Sequence, residues 1–223
     1  MTDVKICGLT RSADVEKACA LGASYVGFIF AEASPRRVSL QEASELGRAT
    51  RPGVARVGIF VHEDYAFIER AVEAARLDLA QIHRPLRPED LDNVPVPIVA
   101  VARVAGGVAQ VPALQELARC RSILFDAAGR ESGGGSGVRF DWTLLAGKTF
   151  PVPVFLGGGL DAGNVGEAIA RVKPAAVDVA SGVESAPGIK DEMKMKRFFE
   201  EVHRADARWE AAASSSPSGK TSA

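Results

Sequence analysis

The sequence has few cysteines and histidines and no excess of either charge. Its 223 residues include three cysteines and three histidines, and 27 Lys and Arg face 28 Asp and Glu, for a net charge of −1. Because Cys7, Cys19 and Cys120 are sparse and odd in number, we expect no disulfide framework and a reducing compartment, the cytoplasm. No Cys or His cluster has metal-ligand spacing, so no metal is expected. Without a basic stripe, nucleic-acid binding has little support.

Long hydrophobic runs are also absent. No apolar segment approaches ~20 residues, so we expect no membrane span. The chain begins with a charged, strand-like run and not with the pattern of a signal peptide. Hydrophobic residues still make up 47% of the chain and charged residues 25%, which allows a sizeable buried core. The length suits one α/β barrel or two small domains.

Short apolar runs alternate with segments of helical character along the chain. Eight such runs occupy residues 4–7, 25–30, 55–61, 77–83, 96–102, 122–126, 153–156 and 175–180. Continuous apolar runs are typical of parallel strands covered on both faces, and their regular alternation with helices indicates an α/β fold. Eight units in a chain of this length favour a single (β/α)8 TIM barrel, with a doubly wound open sheet as the alternative.

The composition changes after His203. The last predicted helix covers residues 189–203, and residues 211–223 contain only Ala, Ser, Pro, Gly, Lys and Thr. Such a segment buries too little apolar surface to offset the cost of ordering it. We therefore expect one barrel domain over residues 1–204 and a disordered polar tail over residues 205–223.

Two small-residue loops follow the last two predicted strands. The seventh strand runs into Gly157, Gly158 and Gly159, and the eighth into Ser181 and Gly182. In a parallel barrel these two loops form the usual phosphate site. Glycines let backbone N–H groups approach an anion, and a following helix N-terminus adds partial positive charge. Tight turns would also explain the glycines, but two such loops at consecutive strand ends favour phosphate binding.

Three other strands end in a residue that can transfer protons or bind a ligand. Cys7, His83 and Asp126 each close an apolar run, and the functional groups of a barrel lie at the C-terminal ends of its strands. A thiolate accepts a proton and a carboxylic acid gives one. As a base, Cys7 needs cationic neighbours to lower its ordinary pKa of ~8.5, and as an acid Asp126 needs a raised pKa. The alternatives are a small buried hydrophobe for Cys7, a turn cap for Asp126 and a structural histidine.

Further candidates lie in loops and beside the first strand. Arg36 follows the second strand, where an arginine can fork onto a substrate carboxylate; the alternative is a solvated surface charge. Lys5 is expected to point sideways from the first strand. Asp161 and Asn164 are candidate caps of the helix after the seventh strand. The glycine-rich run at residues 133–137 is either a flexible cover or a plain linker.

Many of these residues stand in short motifs that occur in a fixed order. The motifs are K-I-C-G-L-T from Lys5, S-P-R from Ser34, G-I-F-V from Gly58, Q-I-H from Gln81, L-F-D from Leu124, G-S-G-V-R-F-D-W from Gly135, L-G-G-G-L from Leu156, N-V from Asn164, D-V-A-S-G-V-E from Asp178 and G-I-K-D from Gly188. Over about residues 5–199 this series resembles the phosphoribosylanthranilate isomerases, the third-step enzymes of tryptophan synthesis. Arg84 and Pro85 depart from the family pattern, which has glycine and then an acidic residue after the histidine. Gly157 and Ala180 also differ from the usual alanine and the frequent serine.

The resemblance implies an activity and roles for the candidate residues. It implies a barrel without metal or organic cofactor that performs an Amadori rearrangement of N-(5-phosphoribosyl)anthranilate, a small phosphosugar, to 1-(2-carboxyphenylamino)-1-deoxyribulose 5-phosphate. It implies Cys7 as general base and Asp126 as general acid. The implied substrate-binding residues are Arg36 for the anthranilate carboxylate, Gly158, Gly159, Ser181 and Gly182 for the phosphate, and His83. A monomer is expected.

Two other functions remain as alternatives. The related isomerase of histidine synthesis resembles two fused half-barrels with phosphate loops in both halves and an aspartate as base. Here the first strand ends in Cys7, and the third and fourth strands lack a glycine-rich loop. A non-catalytic phosphosugar-binding barrel would keep the phosphate loops and lose the acid or the base, and both are present in this sequence.

Overall fold

The computed structural model describes residues 1–105, 107–127 and 139–215. Within these residues, eight parallel strands form a ring: β1 (Asp3–Cys7), β2 (Tyr25–Ile29), β3 (Ala55–Phe60), β4 (Leu79–Ile82), β5 (Ile98–Ala105), β6 (Ser122–Ala127), β7 (Val154–Leu156) and β8 (Ala176–Val179). Each strand pairs with the next, and β8 pairs with β1 to close the barrel. The predicted TIM barrel is confirmed, and the open sheet is excluded.

Helices lie outside the ring and connect most of the strands. They are α1 (Ser12–Ala20), α2 (Leu40–Ala49), α3 (Tyr65–Ala75), α4 (Asp90–Asn93), α5 (Leu114–Leu117), α6 (Val165–Val172) and α7 (Glu192–Ser215). Two 3-10 turns span Trp142–Leu144 and Ser181–Val183. Outside the barrel, Val108–Gln110 pairs with the end of β5, and Glu184–Ala186 pairs with Ile189–Lys190. Among the described residues, no helix combines the length and the apolar character needed to cross a membrane.

Local sequence determines where α2 and α3 begin. The Ser39 hydroxyl accepts a hydrogen bond from the Glu42 N–H at 3.2 Å, and the Glu42 carboxylate accepts one from the Ser39 N–H at 2.7 Å. This reciprocal arrangement is a capping box. The Asp64 carboxylate caps α3 by accepting from the Phe67 N–H at 2.7 Å. Both helices therefore start directly after the loops at the C-terminal ends of β2 and β3, and the loop after β2 holds the candidate site residue Arg36.

Side-chain alternation along the strands divides the apolar residues between two cores. One face of each strand packs against the helices, and the other fills the barrel. Lys5 shares the inward face with Cys7 because the two residues are two positions apart. Its side chain is fully buried, and its Nζ lies 2.9 Å from Oδ1 of Asp178. The expectation that Lys5 points sideways is therefore wrong.

The C-terminal helix is longer than predicted. It ends at Ser215, beyond the predicted end at residue 203. The Asp206 carboxylate accepts hydrogen bonds from the N–H and the hydroxyl of Thr2 at 2.6 and 2.7 Å. Lys173 Nζ lies 3.6 Å from the centre of the Trp209 ring, a cation–π contact. These tertiary contacts stabilise a segment whose polar composition alone indicated disorder.

Two expectations about the end of the chain are affected by this helix. The expected domain boundary at residue 204 falls inside α7. Residues 189–190, predicted to begin the last helix, form a strand. Residues 216–223 of the expected tail lie outside the described residues.

Candidate active site

The sequence-predicted site residues meet at the C-terminal ends of the strands. One small cavity there is lined by Cys7, Ile29, Gln81, His83, Asp126, Gly158, Gly159, Leu160, Asp178, Ala180 and Ser181. This set includes every predicted site residue except Arg36 and Gly182. A parallel barrel places all its strand ends at one rim, which explains why residues distant in sequence converge.

Cys7 ends β1, and its sulfur packs against β2. A β-carbon on Gly27 would lie 2.9 Å from this sulfur, so the glycine leaves room for the thiol. Burial raises the pKa of the Cys7 thiol, and the negative charge of Asp178 raises it further. The positive charges of Lys5 and Lys190 act in the opposite direction. The cationic neighbours that a thiolate needs are therefore present, but burial outweighs them. The pKa of the thiol therefore lies above its ordinary value.

Asp126 lies near the end of β6, which is separated from β1 by β7 and β8 around the ring. Burial raises the pKa of its carboxyl to about 7, and the nearby carboxylate of Asp178 acts in the same direction. Lys5 and Arg103 act in the opposite direction. Asp126 caps none of the described helices. Its carboxyl holds a proton for part of the time near neutral pH, as a general acid must.

His83 lies at the end of β4 as a buried, neutral imidazole. Burial, together with the positive charges of Lys5 and Arg103, lowers its pKa to about 3. Its Nε2 is 2.6 Å from the side-chain amide nitrogen of Gln81. The Gln81 side-chain oxygen is buried without a partner among the described residues. Since buried polar atoms are nearly always paired, this oxygen is a candidate acceptor for a ligand hydroxyl, which sequence reasoning had not singled out.

The loops after β7 and β8 interlock. Gly158 and Gly159 have φ values of 83° and 67°, a region that favours glycine. A β-carbon on Gly182 would lie 1.9 Å from the carbonyl oxygen of Leu160. The contact between the two loops therefore requires glycine at this position for steric reasons alone, whatever the loops bind.

The backbone of these loops offers hydrogen-bond donors to an anion. Across the described ranges 1–105, 107–127 and 139–215, the N–H groups of Gly158, Gly159, Ser181 and Gly182 donate to no protein acceptor. All four residues are half-buried at the barrel mouth. Unpaired N–H groups in adjoining loops, followed by the N-terminus of α6, are suited to bind a phosphate.

Asn164 holds the first of these loops in place. Its Nδ2 donates to the Gly159 carbonyl at 2.9 Å, and its Oδ1 accepts from the Asp161 N–H at 3.0 Å. Asn164 occupies the N-cap position of α6 without a capping side-chain hydrogen bond, and Asp161 Oδ1 accepts from Gly163 at 2.7 Å. The predicted capping roles are therefore wrong, and both residues organise the turn before the helix.

Arg36 is buried and paired, so the alternative of a solvated surface charge is wrong. Its Nε lies 2.9 and 3.1 Å from the two carboxylate oxygens of Glu184, and its Nη2 lies 2.7 Å from one of them. A β-carbon on Gly8 would lie 2.6 Å from Arg36 Cδ, so the arginine stem packs against the residue after Cys7. The guanidinium is fixed beside the end of β1, and its Nη1 makes none of the contacts with Glu184.

A larger recess of about 480 Å³ shares His83 with the first cavity and includes Arg84, the departure from the family pattern. The Arg84 guanidinium forms a two-pronged ion pair with the buried Asp90, whose carboxylate also accepts from the Tyr65 hydroxyl at 2.8 Å. The arginine is thus held at the rim by its own neighbours. Residues 133–138, which include the glycine-rich run and part of its motif, lie outside the described residues.

Two further features of the described residues are the state of the cysteines and the arrangement of potential metal ligands. Cys7, Cys19 and Cys120 are buried and form no disulfide. Within residues 1–105, 107–127 and 139–215, no group of three or more His, Cys, Asp or Glu side chains is placed to hold a metal ion.

Comparison with known sequences identifies relatives over almost the whole chain. The family model of N-(5'-phosphoribosyl)anthranilate (PRA) isomerase matches residues 4–201. The N-(5'-phosphoribosyl)anthranilate isomerase of Thiobacillus denitrificans is 41% identical over 199 residues, 89% of this chain and 97% of that protein. That of Leptothrix cholodnii is 44% identical over 207 residues, 93% of each chain.

Solved structures agree with the sequence relatives. Phosphoribosyl anthranilate isomerase from Thermotoga maritima aligns with a TM-score of 0.80 at 32% identity, over 92% of this chain and all of the other. A phosphoribosyl anthranilate isomerase in complex with reduced 1-(o-carboxyphenylamino)-1-deoxyribulose 5-phosphate aligns with a TM-score of 0.77 at 30% identity, over 92% and 100% of the two chains. Motifs, sequence relatives and fold lead to one conclusion: the chain belongs to the N-(5'-phosphoribosyl)anthranilate isomerase family.

Proposed function

We propose that the protein catalyses the Amadori rearrangement of N-(5-phosphoribosyl)anthranilate to 1-(2-carboxyphenylamino)-1-deoxyribulose 5-phosphate, a step of tryptophan biosynthesis. The observation that carries the proposal is the shared cavity: Cys7 and Asp126 line it together with the phosphate-loop residues Gly158, Gly159 and Ser181. A proton donor, a proton acceptor and an anion site are the groups that this rearrangement of a phosphosugar requires.

Asp126 is the proposed general acid. Its carboxyl proton passes to the ribose ring oxygen as the bond between that oxygen and the anomeric carbon breaks. The lone pair of the anthranilate nitrogen forms the C=N bond of a Schiff base, and Asp126 is left as a carboxylate. The pKa of about 7 supports this role, because the acid is strong enough to give up its proton and still partly protonated at neutral pH.

Cys7 is the proposed general base. Its thiolate removes the proton from the sugar carbon next to the imine carbon, and the electrons of that bond move to form an enolamine, which tautomerises to the ketone. The raised pKa makes the thiolate scarce but strongly basic. Lys5 and Lys190 stabilise its negative charge. Both steps are proton transfers that side chains can perform.

Binding groups hold the substrate at three points in this proposal. The phosphate accepts hydrogen bonds from the free N–H groups of the loops at Gly158–Gly159 and Ser181–Gly182. Nη1 of Arg36 donates hydrogen bonds to the anthranilate carboxylate, because Glu184 occupies Nε and Nη2 and fixes the orientation of the guanidinium group. His83 and the unpaired oxygen of Gln81 bind sugar hydroxyls.

We further propose that the enzyme is a cytoplasmic monomer whose barrel domain is followed by a short polar tail. Three buried cysteines without a disulfide support a reducing compartment. Light scattering on the purified full-length chain measures the oligomeric state, and a dimer mass would contradict the proposed monomer.

A fluorescence assay tests the activity. The substrate is made in situ from anthranilate and phosphoribosyl pyrophosphate by a separate phosphoribosyltransferase, and its disappearance is followed after this protein is added. We expect consumption well above spontaneous breakdown, and almost none with the double variant Cys7→Ser/Asp126→Asn. Binding of the product without consumption of the substrate would instead identify a non-catalytic phosphosugar-binding barrel.

A further inference from the structure

The proposed chemistry gives no direct proton-transfer or binding role to Lys190, although its ammonium lies against the backbone of the proposed base, Cys7. The residue stands in the short strand Ile189–Lys190, and its side chain is fully buried. Nζ donates to the Cys7 carbonyl at 2.6 Å, to the Ala180 carbonyl at 3.1 Å and to Oε1 of Glu184 at 2.8 Å. All three donors of the ammonium are therefore used by protein acceptors.

The two carbonyls belong to the strand ends that carry the proposed function. Cys7 is the last residue of β1 and holds the proposed base. Ala180 follows β8 and directly precedes Ser181, where the second phosphate loop begins. The paired register of β1 and β8 ends at Ile6 and Val179. Beyond that point the ammonium of Lys190 connects the two chain segments.

Other charged groups hold the ammonium in this position. The Glu184 carboxylate binds both Lys190 and the guanidinium of Arg36. The Lys190 N–H donates to Asp14 at 3.1 Å, and its carbonyl accepts from Arg11 at 3.3 Å. A buried ion pair is weak evidence for stability because desolvation offsets much of its attraction. Its position between two functional loops therefore favours a role in the site.

We propose that Lys190 is a positioning residue that holds the end of β1, with its cysteine, in register with the phosphate loop that begins at Ser181. The substrate is anchored by its phosphate at one loop and is attacked at a carbon several bonds away, so the separation of the two loops sets the distance to the base. A displacement of about 1 Å at a reacting centre costs on the order of 100-fold in rate. The inference rests on the proposed function and deepens it.

The ammonium also acts on the thiol through its charge. The charged groups that face Cys7 are Lys5 from β1, Asp178 from β8, Arg36 from the loop after β2, and Lys190. The carbonyl contact brings Lys190 to the same residue that carries the thiol. Removal of this positive charge raises the pKa of the Cys7 thiol further, since one fewer cation stabilises the thiolate.

The substitution Lys190→Met tests the inference, with Lys194→Met as the matched control. Methionine is unbranched like lysine and only one atom shorter, and it removes all three donors. Lys194 donates to the Glu184 carbonyl at 2.7 Å and touches neither strand end. We expect Lys190→Met to lower kcat by about 10- to 100-fold and to weaken competitive inhibition by inorganic phosphate. In the control variant, kcat and the inhibition constant of phosphate should both stay within about twofold of wild type.

A second readout is the rate at which iodoacetamide labels Cys7 as a function of pH, measured by peptide mass spectrometry. The midpoint of this profile should move to higher pH in Lys190→Met and stay unchanged in Lys194→Met. Lys190→Gln keeps two donors without the charge, so we expect it to restore phosphate inhibition but not the labelling profile. If the methionine variant does not fold, the labelling profile and kcat of the glutamine variant test the role of Lys190 in its place.

The outcomes separate this inference from the proposed function. Unchanged kcat, phosphate inhibition and labelling in the folded variant would overturn the role of Lys190. A wild-type protein that does not consume phosphoribosylanthranilate would overturn the proposed activity. Phosphate binding and thiol labelling would still report whether Lys190 connects the two strand ends.

Discussion

Gly158 lies directly against Asp126: a β-carbon on the glycine would lie 3.1 Å from Oδ1 of the carboxyl and 2.6 Å from the backbone nitrogen of Ala127. The glycine loop after β7, which we propose binds the phosphate, thus packs against the proposed acid. This contact contributes to the burial that raises the pKa of Asp126 to about 7. The proposed phosphate loop and the proposed acid therefore meet at this one backbone position.

The substitution Gly158→Ala should damage the site more than the fold. The methyl group would displace the Ala127 backbone, and φ at 83° disfavours any side chain. We expect KM for phosphoribosylanthranilate to rise about 10-fold or more, with a loss of about 1–3 kcal/mol in stability. Gly166→Ala is the control, because a β-carbon there meets nothing within 4 Å and alanine favours the helix. A wild-type KM in Gly158→Ala would contradict the proposed phosphate site.

Inorganic phosphate or sulfate should inhibit competitively with the substrate. The free N–H groups at Gly158, Gly159, Ser181 and Gly182 offer hydrogen bonds that either anion can accept. A crystal grown in the presence of either anion should place it between Gly158 and Ser181. An anion near Arg84, with the loop site empty, would argue against the phosphate assignment.

The substitution Cys7→Ser should leave the fold intact and reduce kcat by at least ~100-fold, since a hydroxyl is a far weaker acid than a thiol and supplies almost no anionic base. Cys19→Ser is the matched control, as Cys19 lies on α1 outside the barrel interior. We expect the control to keep most of its activity. Turnover close to wild type in Cys7→Ser would remove Cys7 from the mechanism.

The substitution Asp126→Asn should separate catalysis from stability. Asparagine keeps the shape but cannot donate the proton, so kcat should fall by ~100-fold or more while product binding persists. The wild-type carboxyl has a pKa raised by folding, so its ionisation destabilises the protein as pH rises from about 4 to about 7. Asparagine removes this dependence. We expect the melting temperature of the variant, relative to wild type, to be higher at pH 8 than at pH 4.

Differential scanning calorimetry at the two pH values measures this difference, and the fluorescence assay measures kcat. If Asp126→Asn keeps most of its activity, the general acid lies elsewhere. If the relative melting temperatures do not change with pH, the carboxyl titrates in the folded protein as it does in the unfolded chain.

The pH profile of kcat/KM should be bell-shaped and displaced to alkaline values. The acid must be protonated and the base deprotonated, yet the pKa of Asp126 is about 7 and that of Cys7 lies above the ordinary value of a thiol. Because the acid has the lower pKa of the two, only a small fraction of the enzyme carries a protonated Asp126 and a deprotonated Cys7 at any pH. This fraction is largest at pH values between the two pKa values. We expect a rise near pH 7 and a fall above the ordinary thiol range. A profile that falls from pH 7 upward would contradict the assignment.

Local sequence was sufficient for the barrel and for part of the residue set that lines the cavity at its rim, but it did not single out Gln81 or Asp178. Short continuous apolar runs set the eight strands, and period-two alternation along β1 places Lys5 on the face of Cys7, although the lysine was first expected to point sideways. A closed parallel barrel brings all strand ends to one rim, so Cys7, His83, Asp126 and the two glycine loops could be placed together without any knowledge of side-chain contacts.

Other features depended on the folded protein. The cluster of Arg36, Glu184 and Lys190 joins residues from distant parts of the chain, and no local pattern records which partners a closed barrel will bring together. The length of α7 depends on contacts with Thr2 and Lys173, which outweigh its weak apolar pattern. The upward shift of the Cys7 pKa depends on burial, and desolvation is a property of the packed structure that a list of neighbouring charges does not contain.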